Sequence, residues 1–281
     1  MSAESTRVAD HEDPAAPPNV DITRASIARV YDYVLGGKDN FEIDRTAAHA
    51  IIRALPEAPQ IARDNRAFVR RSVRYLAGAA SIRQIIDIGC GLPTEGNVHE
   101  VAHEVNRGTR VVYVDNDPIV LAHGRALLAD NNNNNNNNIV ITADVRDPES
   151  LFNNPAIGKF IDRTEPYAVL ISAVLHHLSD DEDPWAVAKA IRDWLPSGSY
   201  LMIANFVDPG EPRARATERA FLEGSLGSGR FRTLDEQIGF FEGLEMVEPG
   251  LVPANEWRPD PDTETDSPVH NLYLAGVGCK P

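Results

Sequence analysis

Five short apolar runs, separated by helical stretches, constrain the fold of this chain more than any other feature. The runs are RQIIDIG (83–89), RVVYVD (110–115), IVITAD (139–144), YAVLISAVL (167–175) and SYLMIANF (199–206). The helical stretches lie at 97–106, 119–129, 148–152 and 184–195. Each run has the length of a strand and is apolar at consecutive positions, as in parallel strands that are buried on both faces. The alternation predicts an α/β fold with an open, doubly wound, Rossmann-like sheet.

The last part of the chain departs from this alternation. Thr233 and Glu236 form a capping-box pair, which predicts a short helix up to Phe241. Two apolar runs then follow at 244–252 and 270–278, without a helix between them. Two consecutive strands without a crossover helix predict an antiparallel pair. The expected sheet therefore has seven strands, of which the last is antiparallel.

The sequence divides the chain into three predicted segments. Residues 1–20 are polar and proline-rich, which predicts a disordered tail. Apolar spacing predicts helices at SIARVYDYVLGG, from Glu42 to Leu55 and from Ile61 to Leu76. We therefore expect a helical lid over 21–78 and the sheet domain over 79–281. Eight consecutive asparagines, Asn131 to Asn138, are either a flexible loop or a stand-in for residues that were not identified.

Composition restricts the location and partners of the protein. The formal net charge is −15, which disfavours nucleic acid as a partner, although five arginines lie between Arg63 and Arg74. We expect most of these arginines to form a solvated helix face. No apolar run reaches the roughly 18 residues of a membrane helix. The chain has two cysteines, and its first residues lack the features of a signal peptide. These features predict a cytoplasmic protein.

The glycine-rich stretch DIGCGLPTEGN (87–97) follows the first predicted strand and predicts a cofactor loop. Its glycines permit a tight turn at the carboxyl end of the sheet, and Asp87 precedes Gly89 by two residues. The dinucleotide pattern G-x-G-x-x-G requires a glycine where this chain has Thr94, which disfavours NAD. The spacing instead favours S-adenosylmethionine (SAM), which has no pyrophosphate. We expect Cys90 to pack within this loop, beside Gly91. A strand–turn–helix unit without any ligand is the alternative.

The ends of the second and third predicted strands provide further polar groups. Asp115 lies 24 residues after Gly91, where an acidic residue can accept both ribose hydroxyls of an adenosine cofactor. Asn116 and the following Asp117-Pro118 also fit the start of a helix. Asp144 can accept from the adenine amino group, with the Val145 N–H beside it, or it can simply order a turn.

The end of the fourth predicted strand is expected to line the same site with Ser172, Ala173 and His176. His176 and His177 precede four acidic residues, a composition that invites a metal site. Metal ligands on a helix need a fixed spacing, and we expect adjacent histidines to point apart. We therefore predict no metal site. His176 is a candidate general base.

Together, DIGCG, YVD, ADVRD and LHHL resemble the class I SAM-dependent methyltransferases. More narrowly, SIARVYDYVLGGKDNF, DNRAFVRRSVRYLA, DIGCGLPTEGNVHEVA and VVYVDNDPIVLAH resemble an actinobacterial S-adenosyl methyltransferase family, formerly a domain of unknown function. GLPT also resembles the G-L-D-T of leucine carboxyl methyltransferase relatives, with Pro93 in place of the aspartate.

This resemblance implies SAM as the cofactor and N-terminal helices that cover it. It implies that residues of GGKDN (36–40), with neighbouring helix residues, reach the site, although a helix stop and a turn explain GGKDN equally well. Arg66 is then a partner for the SAM carboxylate. The residues implied near the site are Tyr31, Tyr33, Lys38, Asp39, Asn40, Asn65 and Arg66.

The predicted function is methyl transfer from SAM to an acceptor, which we expect to be a small molecule. Tyr33, Asp39 and His176 are candidates for a general base, and none is singled out. A SAM-binding regulator without catalysis is the first alternative, because a protein with this fold can bind SAM without catalysing a reaction. An NAD-dependent oxidoreductase is the second. The sequence indicates neither the acceptor atom nor the oligomeric state.

Overall fold

The computed structural model describes residues 20–94, 96–130, 137–224, 226–266 and 270–281. The predicted disordered tail lies outside this part of the chain, apart from Val20. Most of the asparagine tract also lies outside it. Asn137 and Asn138 are described, and Asn138 begins a strand, so a loop over the whole tract, one of the two alternatives that the sequence left open, does not extend to its last residue. Pairing with Val111 of the neighbouring strand outweighs the low strand propensity of asparagine.

Three helices open the chain, as predicted: α1 (Ile27–Val34), α2 (Glu42–Ala54) and α3 (Ala58–Ala77). The first ends just before Gly36, whose φ of 86° is left-handed. The second ends ahead of Pro56, which cannot continue the ladder of hydrogen bonds. The third begins earlier than predicted, because Pro59 is accommodated in its first turn.

In the described part of the chain, eight strands form one sheet in the order β3-β2-β1-β4-β5-β8-β6, with β7 also paired to β8. Their bounds are β1 (Gln84–Ile88), β2 (Arg110–Asp115), β3 (Asn138–Thr142), β4 (Ala168–Ser172), β5 (Tyr200–Phe206), β6 (Glu245–Met246), β7 (Val252–Pro253) and β8 (Tyr273–Cys279). The first five strands are parallel, and β8 runs antiparallel to β5. The Rossmann-like class and the antiparallel last strand are therefore confirmed.

The predicted strand 244–252 is interrupted. Its ends, β6 and β7, pair with the same edge of β8, opposite Gly278 and Ala275 respectively. Between them, Pro249 lacks a backbone N–H and Gly250 has a φ of 94°, so the ladder cannot continue. The eight strands therefore occupy seven positions across the sheet.

Within the described ranges, seven α-helices follow β1. They are α4 (Val98–Val105), α5 (Pro118–Asp130), α6 (Pro148–Phe152), α7 (Pro155–Phe160), α8 (Pro184–Trp194), α9 (Pro212–Glu223) and α10 (Leu234–Gly239). The sequence analysis missed α7 and α9. The first is only six residues long, and the second carries arginines through most of its turns, which obscure its apolar face. None of the helices in the described ranges is both long enough and apolar enough to cross a membrane.

Apolar side chains cover both faces of the sheet. Ile85 contributes to the layer that also contains Val30 of α1, Ile51 of α2 and Phe68 of α3. Ile86, the next residue of the same strand, contributes to the opposite layer, with α6, α7 and α8. This alternation is that of a pleated strand buried on two sides. The N-terminal helices therefore share a core with the sheet.

The arginines of α3 differ from the prediction. Only Arg63 and Arg74 of the five are exposed, and Arg71 is buried. Its guanidinium donates to the carbonyls of Trp257 (2.9 Å) and Ala254 (2.6 Å). The expectation of a mainly solvated arginine face is wrong, because Arg71 ties the loop after β7 to the helix.

A network around Asp44 holds the segment before α1 against the start of α2. The buried Asp44 carboxylate accepts from the Ser26 N–H (2.9 Å), the Phe41 N–H (2.9 Å) and Arg29 Nε (2.7 Å). The other nitrogens of Arg29 donate to the carbonyls of Asp21 and Arg24. The segment is also joined to the turn after β2, because the Ser26 hydroxyl donates to Asp117. Residues 25–28 therefore lie over the carboxyl ends of the strands.

Candidate functional site

A cavity of about 540 Å³ lies between the N-terminal helices and the carboxyl ends of the parallel strands, the place where open α/β sheets bind ligands. All eleven residues predicted to hold the cofactor line it. They are Arg66, Asp87, Gly89, Cys90, Gly91, Asp115, Asn116, Asp144, Val145, Ser172 and Ala173. The structure thus brings together residues that are spread over more than 100 positions of the chain.

The glycine loop is shaped by two left-handed residues, Gly89 (φ 69°) and Gly91 (φ 66°). A Cβ on Gly89 would lie 2.4 Å from Val174 Cγ2, so this glycine permits close packing. A Cβ on Gly91 would meet no atom within 4 Å and would project into open space. The loop therefore leaves room for a ligand at Gly91. Burial raises the pKa of the Cys90 thiol well above its usual value, which fits a packing role.

The Asp115 side chain holds the glycine loop in position. Its carboxylate accepts from the Gly91 N–H (3.0 Å) and from the Asp117 N–H (2.9 Å). Burial raises its pKa, against the lowering effect of these backbone donors. Asp117 accepts from the Ile119 N–H (2.9 Å) and so caps α5. The predicted cap therefore forms at Asp117, whereas Asp115 lines the cavity and its role toward a ribose stays a prediction.

Asp87 is a buried carboxyl group that no hydrogen bond satisfies among the described residues. Burial raises its pKa to about 7, the nearby Arg66 guanidinium opposes that rise, and the Asp115 carboxylate adds to it. The Arg66 side chain donates to the Thr94 hydroxyl. Thr94, where the dinucleotide pattern has glycine, therefore holds the arginine beside the cavity.

Asp144 is paired within the protein. Its carboxylate accepts from the backbone N–H and Nε of Arg146, both at 2.9 Å, and from Asn116 Nδ2 at 3.0 Å. The Arg146 side chain holds the pKa of this carboxyl down at about 2. Asp144 is therefore an anion at neutral pH, and its role next to an adenine stays a prediction.

The two ends of the cavity differ in character. Its charged lining residues belong to the segments that carry the predicted cofactor residues or that adjoin them: Arg66, Asp87, Asp115, Asp117, Asp144, Arg146 and Glu182. We call this the polar end. A second group, which we call the aromatic end, consists of residues whose rings contact one another: His176, His177, Phe206, Phe221 and Tyr273. Burial lowers the pKa of His177 to about 4 and that of His176 well below its usual value. Both imidazoles are neutral at pH 7.

The two histidines do not point apart, as we expected from the sequence. Their ring centroids are 4.4 Å apart, because the residues lie in a tight 3₁₀ turn (Leu175–His177) and not on a strand. Within the part of the chain that the structure describes, no three His, Cys, Asp or Glu side chains cluster as a metal site requires.

The other candidate bases lie elsewhere. The Tyr33 hydroxyl contacts His49 Nε2 at 2.9 Å, and an Asp39 oxygen lies 3.8 Å from His123 Nδ1. Neither Tyr33 nor Asp39 belongs to the described lining of the cavity. A general-base role for either stays a prediction, as it does for His176, which lines the aromatic end.

The GGKDN segment forms a turn around Asp32. The Asp32 carboxylate accepts from the Asp39 N–H and from Asn40 Nδ2, both at 2.9 Å. A Cβ on Gly37 would lie 2.0 Å from Asp32 Oδ1, so only glycine fits there. Lys38 is exposed. This geometry gives the motif a structural explanation.

Sequence reasoning missed several residues of the aromatic end. Phe221 lies on α9, which was not predicted, and Leu226, Gly227 and Ser228 follow that helix. Tyr273 comes from β8, the most distant strand along the chain. Buried residues at helical spacing around Phe221 are the signal from which α9 could have been predicted.

The chain was compared with known proteins. The family model described as S-adenosyl methyltransferase matches residues 13–281. A candidate methyltransferase from Thermobifida fusca YX is 47% identical, with a TM-score of 0.88 over 94% of this chain and 98% of that one. A DUF574 family protein from Streptomyces avermitilis MA-4680 is 38% identical, with a TM-score of 0.87 over 93% and 99%.

A more distant structure shares the fold alone. It is magnesium protoporphyrin IX methyltransferase from Synechocystis PCC 6803, solved with bound S-adenosylhomocysteine (SAH), at 12% identity. Its TM-score is 0.53 over 90% of this chain and 93% of that one. A search of curated proteins found no match.

The fold, together with the glycine loop at the carboxyl end of β1, defines a Rossmann-like, SAM-dependent methyltransferase. More narrowly, the chain belongs to the S-adenosyl methyltransferase family that the matching model describes. The polar end fits SAM, because the buried Asp87 carboxyl makes no hydrogen bond with the described residues and the space at Gly91 is open, which leaves an acidic group and room for a cationic ligand.

The pKa of Asp87 predicts pH-dependent SAM binding. If the carboxylate faces the cationic part of SAM, affinity should rise up to tenfold per pH unit below about pH 7 and level off above it. Without SAM the opposite trend holds for stability. The folded protein then holds the Asp87 proton more tightly than the unfolded chain, in which the pKa of an aspartate is about 4. The free energy of unfolding should therefore fall as the pH rises from about 4 to about 7. Calorimetric titration with SAM from pH 5.5 to 8.5 measures the first effect. The variant Asp87→Asn should bind weakly with a flat profile, and an unchanged profile would contradict the assignment.

A second prediction separates the two loop glycines. Gly91→Ala should cost about 1–2 kcal/mol of stability for its left-handed φ, and it should also weaken SAM binding, because the methyl group occupies the cavity. Gly89→Ala should lose more stability, since its Cβ meets Val174. Thermal unfolding with and without SAM measures both. A SAM-induced stabilisation that survives in full in Gly91→Ala would rule out ligand contact at this residue.

Proposed function

We propose that the protein transfers the SAM methyl group to a small, uncharged and largely apolar molecule that binds at the aromatic end of the cavity. The observation that carries this proposal is the segregation of charge within one cavity. The charged lining residues gather at the polar end, whereas the aromatic end combines two neutral imidazoles with three aromatic rings. A buried charge without a partner is costly, so such a surface favours an uncharged ligand.

In this proposal the polar end holds SAM, whose sulfonium makes the methyl group electrophilic when it is bound. Asp115 accepts from the ribose hydroxyls, and Asp87 and Arg66 pair with the ammonium and carboxylate of the methionine part. Asp144 and the Val145 N–H lie at the adenine, and Ser172 and Ala173 border the methyl group. Each of these residues lines the same cavity, which supports the division of roles.

The chain's own contribution to the reaction is then to position the two substrates and exclude water. Residues 21–78 serve as the lid in this proposal. Support comes from the network around Asp44, which holds residues 25–28 over the strand ends, and from Tyr31 and Asn65, which line the cavity from above. A rigid cover reduces competition from water for the reactive methyl group.

The test is SAH formation with a panel of small apolar acceptors, measured by mass spectrometry together with the methylated product. We expect acceptor-dependent SAH release and a mass increase of one methylene in the acceptor. Phe221→Asp, which places a charge at the aromatic end, should abolish turnover while SAM still binds. Tight SAM binding without turnover across a broad panel would instead favour a SAM-binding regulator.

A further inference from the structure

Beside the aromatic end, a chain of hydrogen bonds links Tyr31, Asn65 and Ser172. Through this chain the Tyr31 and Ser172 hydroxyl protons are donated to other protein groups and not to the cavity. The Tyr31 hydroxyl lies 3.0 Å from the Ala62 carbonyl, which can only accept, so Tyr31 donates there. Asn65 Nδ2 must therefore donate to the Tyr31 oxygen (2.9 Å), which leaves Asn65 Oδ1 to accept from the Ser172 hydroxyl at 2.7 Å. The Tyr31 oxygen consequently keeps only a lone pair for a ligand, and the Ser172 hydroxyl, which also contacts the Tyr273 hydroxyl, has no proton to donate to one.

A second chain has the same logic and ends on His176. Gln237 Nε2 donates to the Phe206 carbonyl (2.9 Å), so Gln237 Oε1 accepts from Asn205 Nδ2 at 3.3 Å. Asn205 Oδ1 then faces His176 Nδ1 at 3.3 Å, and it can only accept. The proton of the neutral imidazole therefore resides on Nδ1. Nε2 carries a lone pair and makes no hydrogen bond with the described residues.

The remaining polar groups at this end are also committed. The Tyr273 hydroxyl lies 3.3 Å from the Ala204 carbonyl, and His177 Nδ1 lies 3.1 Å from the Ser228 hydroxyl. A ligand at the aromatic end therefore meets a hydrogen-bond acceptor at His176 Nε2, and it finds no donor at Tyr31 or Ser172, which border that end beside Tyr273. A ligand whose polar group is itself an acceptor, such as a ketone, would leave the His176 lone pair opposed by its own.

Charge narrows the ligand further. An aliphatic amine is a cation at neutral pH, and a carboxylic acid is an anion. The aromatic end supplies neither a carboxylate nor a cationic side chain to pair with them. Resting on the proposed function, we infer that the acceptor is a neutral molecule with a hydroxyl group, and that this hydroxyl donates to His176 Nε2.

The proposed methyl transfer conserves atoms and charge. The acceptor oxygen forms a bond to the methyl carbon, the bond between that carbon and sulfur breaks, and the hydroxyl proton passes to His176 Nε2. The products are a methyl ether and SAH, and the imidazolium later returns its proton to solvent. The positive charge lost at sulfur is regained on the imidazole, so the net charge of the cavity stays constant. Asn205 and Gln237 act as positioning residues, since they set which nitrogen is free.

The tautomer can be measured without any acceptor. In protein labelled with ¹⁵N-histidine and loaded with SAH, His176 signals are assigned by their loss in His176→Gln. We expect protonated Nδ1 and unprotonated Nε2 near pH 7. A proton on Nε2 overturns the inference, whatever the enzyme methylates.

A matched pair of variants tests the second chain. Gln237→Met removes the donor to Phe206 and should let Asn205 turn, so that His176 populates the other tautomer and kcat with a hydroxyl acceptor falls at least tenfold. Gln84→Met makes the same change at a buried glutamine on β1, which bonds to Asp162 and Arg110 away from the cavity. It should leave the tautomer unchanged. Equal tautomer populations in the two variants overturn the role of Gln237.

Binding of four probes with one skeleton tests the ligand class. The probes are 2-naphthol, 2-naphthoic acid, 2-naphthylmethylamine and naphthalene, titrated calorimetrically into the SAH-loaded protein. We expect 2-naphthol to bind at least about tenfold more tightly than each of the others. Any other order, including no binding by any probe, overturns the hydroxyl assignment. Because neither binding nor the tautomer requires turnover, these results remain distinct from a failure of the proposed function, which shows as absent SAH formation.

Discussion

Replacing Asp115 by alanine should lower SAM affinity at least about 100-fold. Two effects combine in this variant. It removes the proposed acceptor for the ribose hydroxyls, and it also leaves the Gly91 and Asp117 N–H groups without their carboxylate, so that the loop loses its order. Hydrogen bonds to a charged group contribute about 1.5–3 kcal/mol each. Isothermal titration calorimetry with SAM measures the loss.

Asp147→Ala is the matched control for this prediction. Asp147 lies beyond the carboxyl end of the neighbouring strand β3 and, like Asp115, accepts a backbone N–H, here from Ser150 at 3.0 Å, but it caps α6 and does not line the cavity. This variant should lose only the stability that the helix cap contributes, and it should keep full SAM affinity. If both variants bind SAM like the unchanged protein, Asp115 has no part in the cofactor site.

Replacing Asp44 by alanine should lower the free energy of unfolding by about 3–5 kcal/mol, because it leaves the buried Arg29 guanidinium without its anionic partner. The Ser26 and Phe41 N–H groups lose their acceptor as well. Urea denaturation followed by circular dichroism measures the change.

The exposed ion pair between Lys189 and Asp193 provides the comparison for Asp44. Its atoms lie 2.5 Å apart on α8, yet both side chains are more than half exposed. Asp193→Ala should therefore cost less than about 1 kcal/mol. Similar losses in the two aspartate variants would show that the Asp44 network contributes little.

The parallel strands and the site residues on them were predictable because each depends on local signals. A buried strand is a run of consecutive apolar residues, and its carboxyl end necessarily faces the ligand side of the sheet. For this reason Asp87, Asp115 and Asp144 could be brought together from the sequence alone. Their roles toward SAM stay predictions until binding is measured.

Long-range contacts were not predictable in the same way. Nothing local to Gln237 indicates that it orients Asn205, 32 residues earlier, or that Arg71 donates to Trp257, 186 residues later. Phe221 lines the cavity from a helix whose arginines hide its periodicity. The interruption between β6 and β7 depends on Pro249 and Gly250, whose effect on a two-sided strand is visible only when its partner is known.

The position of β8 bears on how the chain folds during synthesis. This strand follows every other strand along the chain, but it lies inside the sheet, with β5 on one edge and β6 and β7 on the other. Until β8 has left the ribosome, the apolar edge of β5 stays open, and pairing waits for a contact that spans about 70 residues. Between the synthesis of β5 and that of β8, nascent chains of this protein thus expose an unpaired strand edge, which favours self-association at that stage.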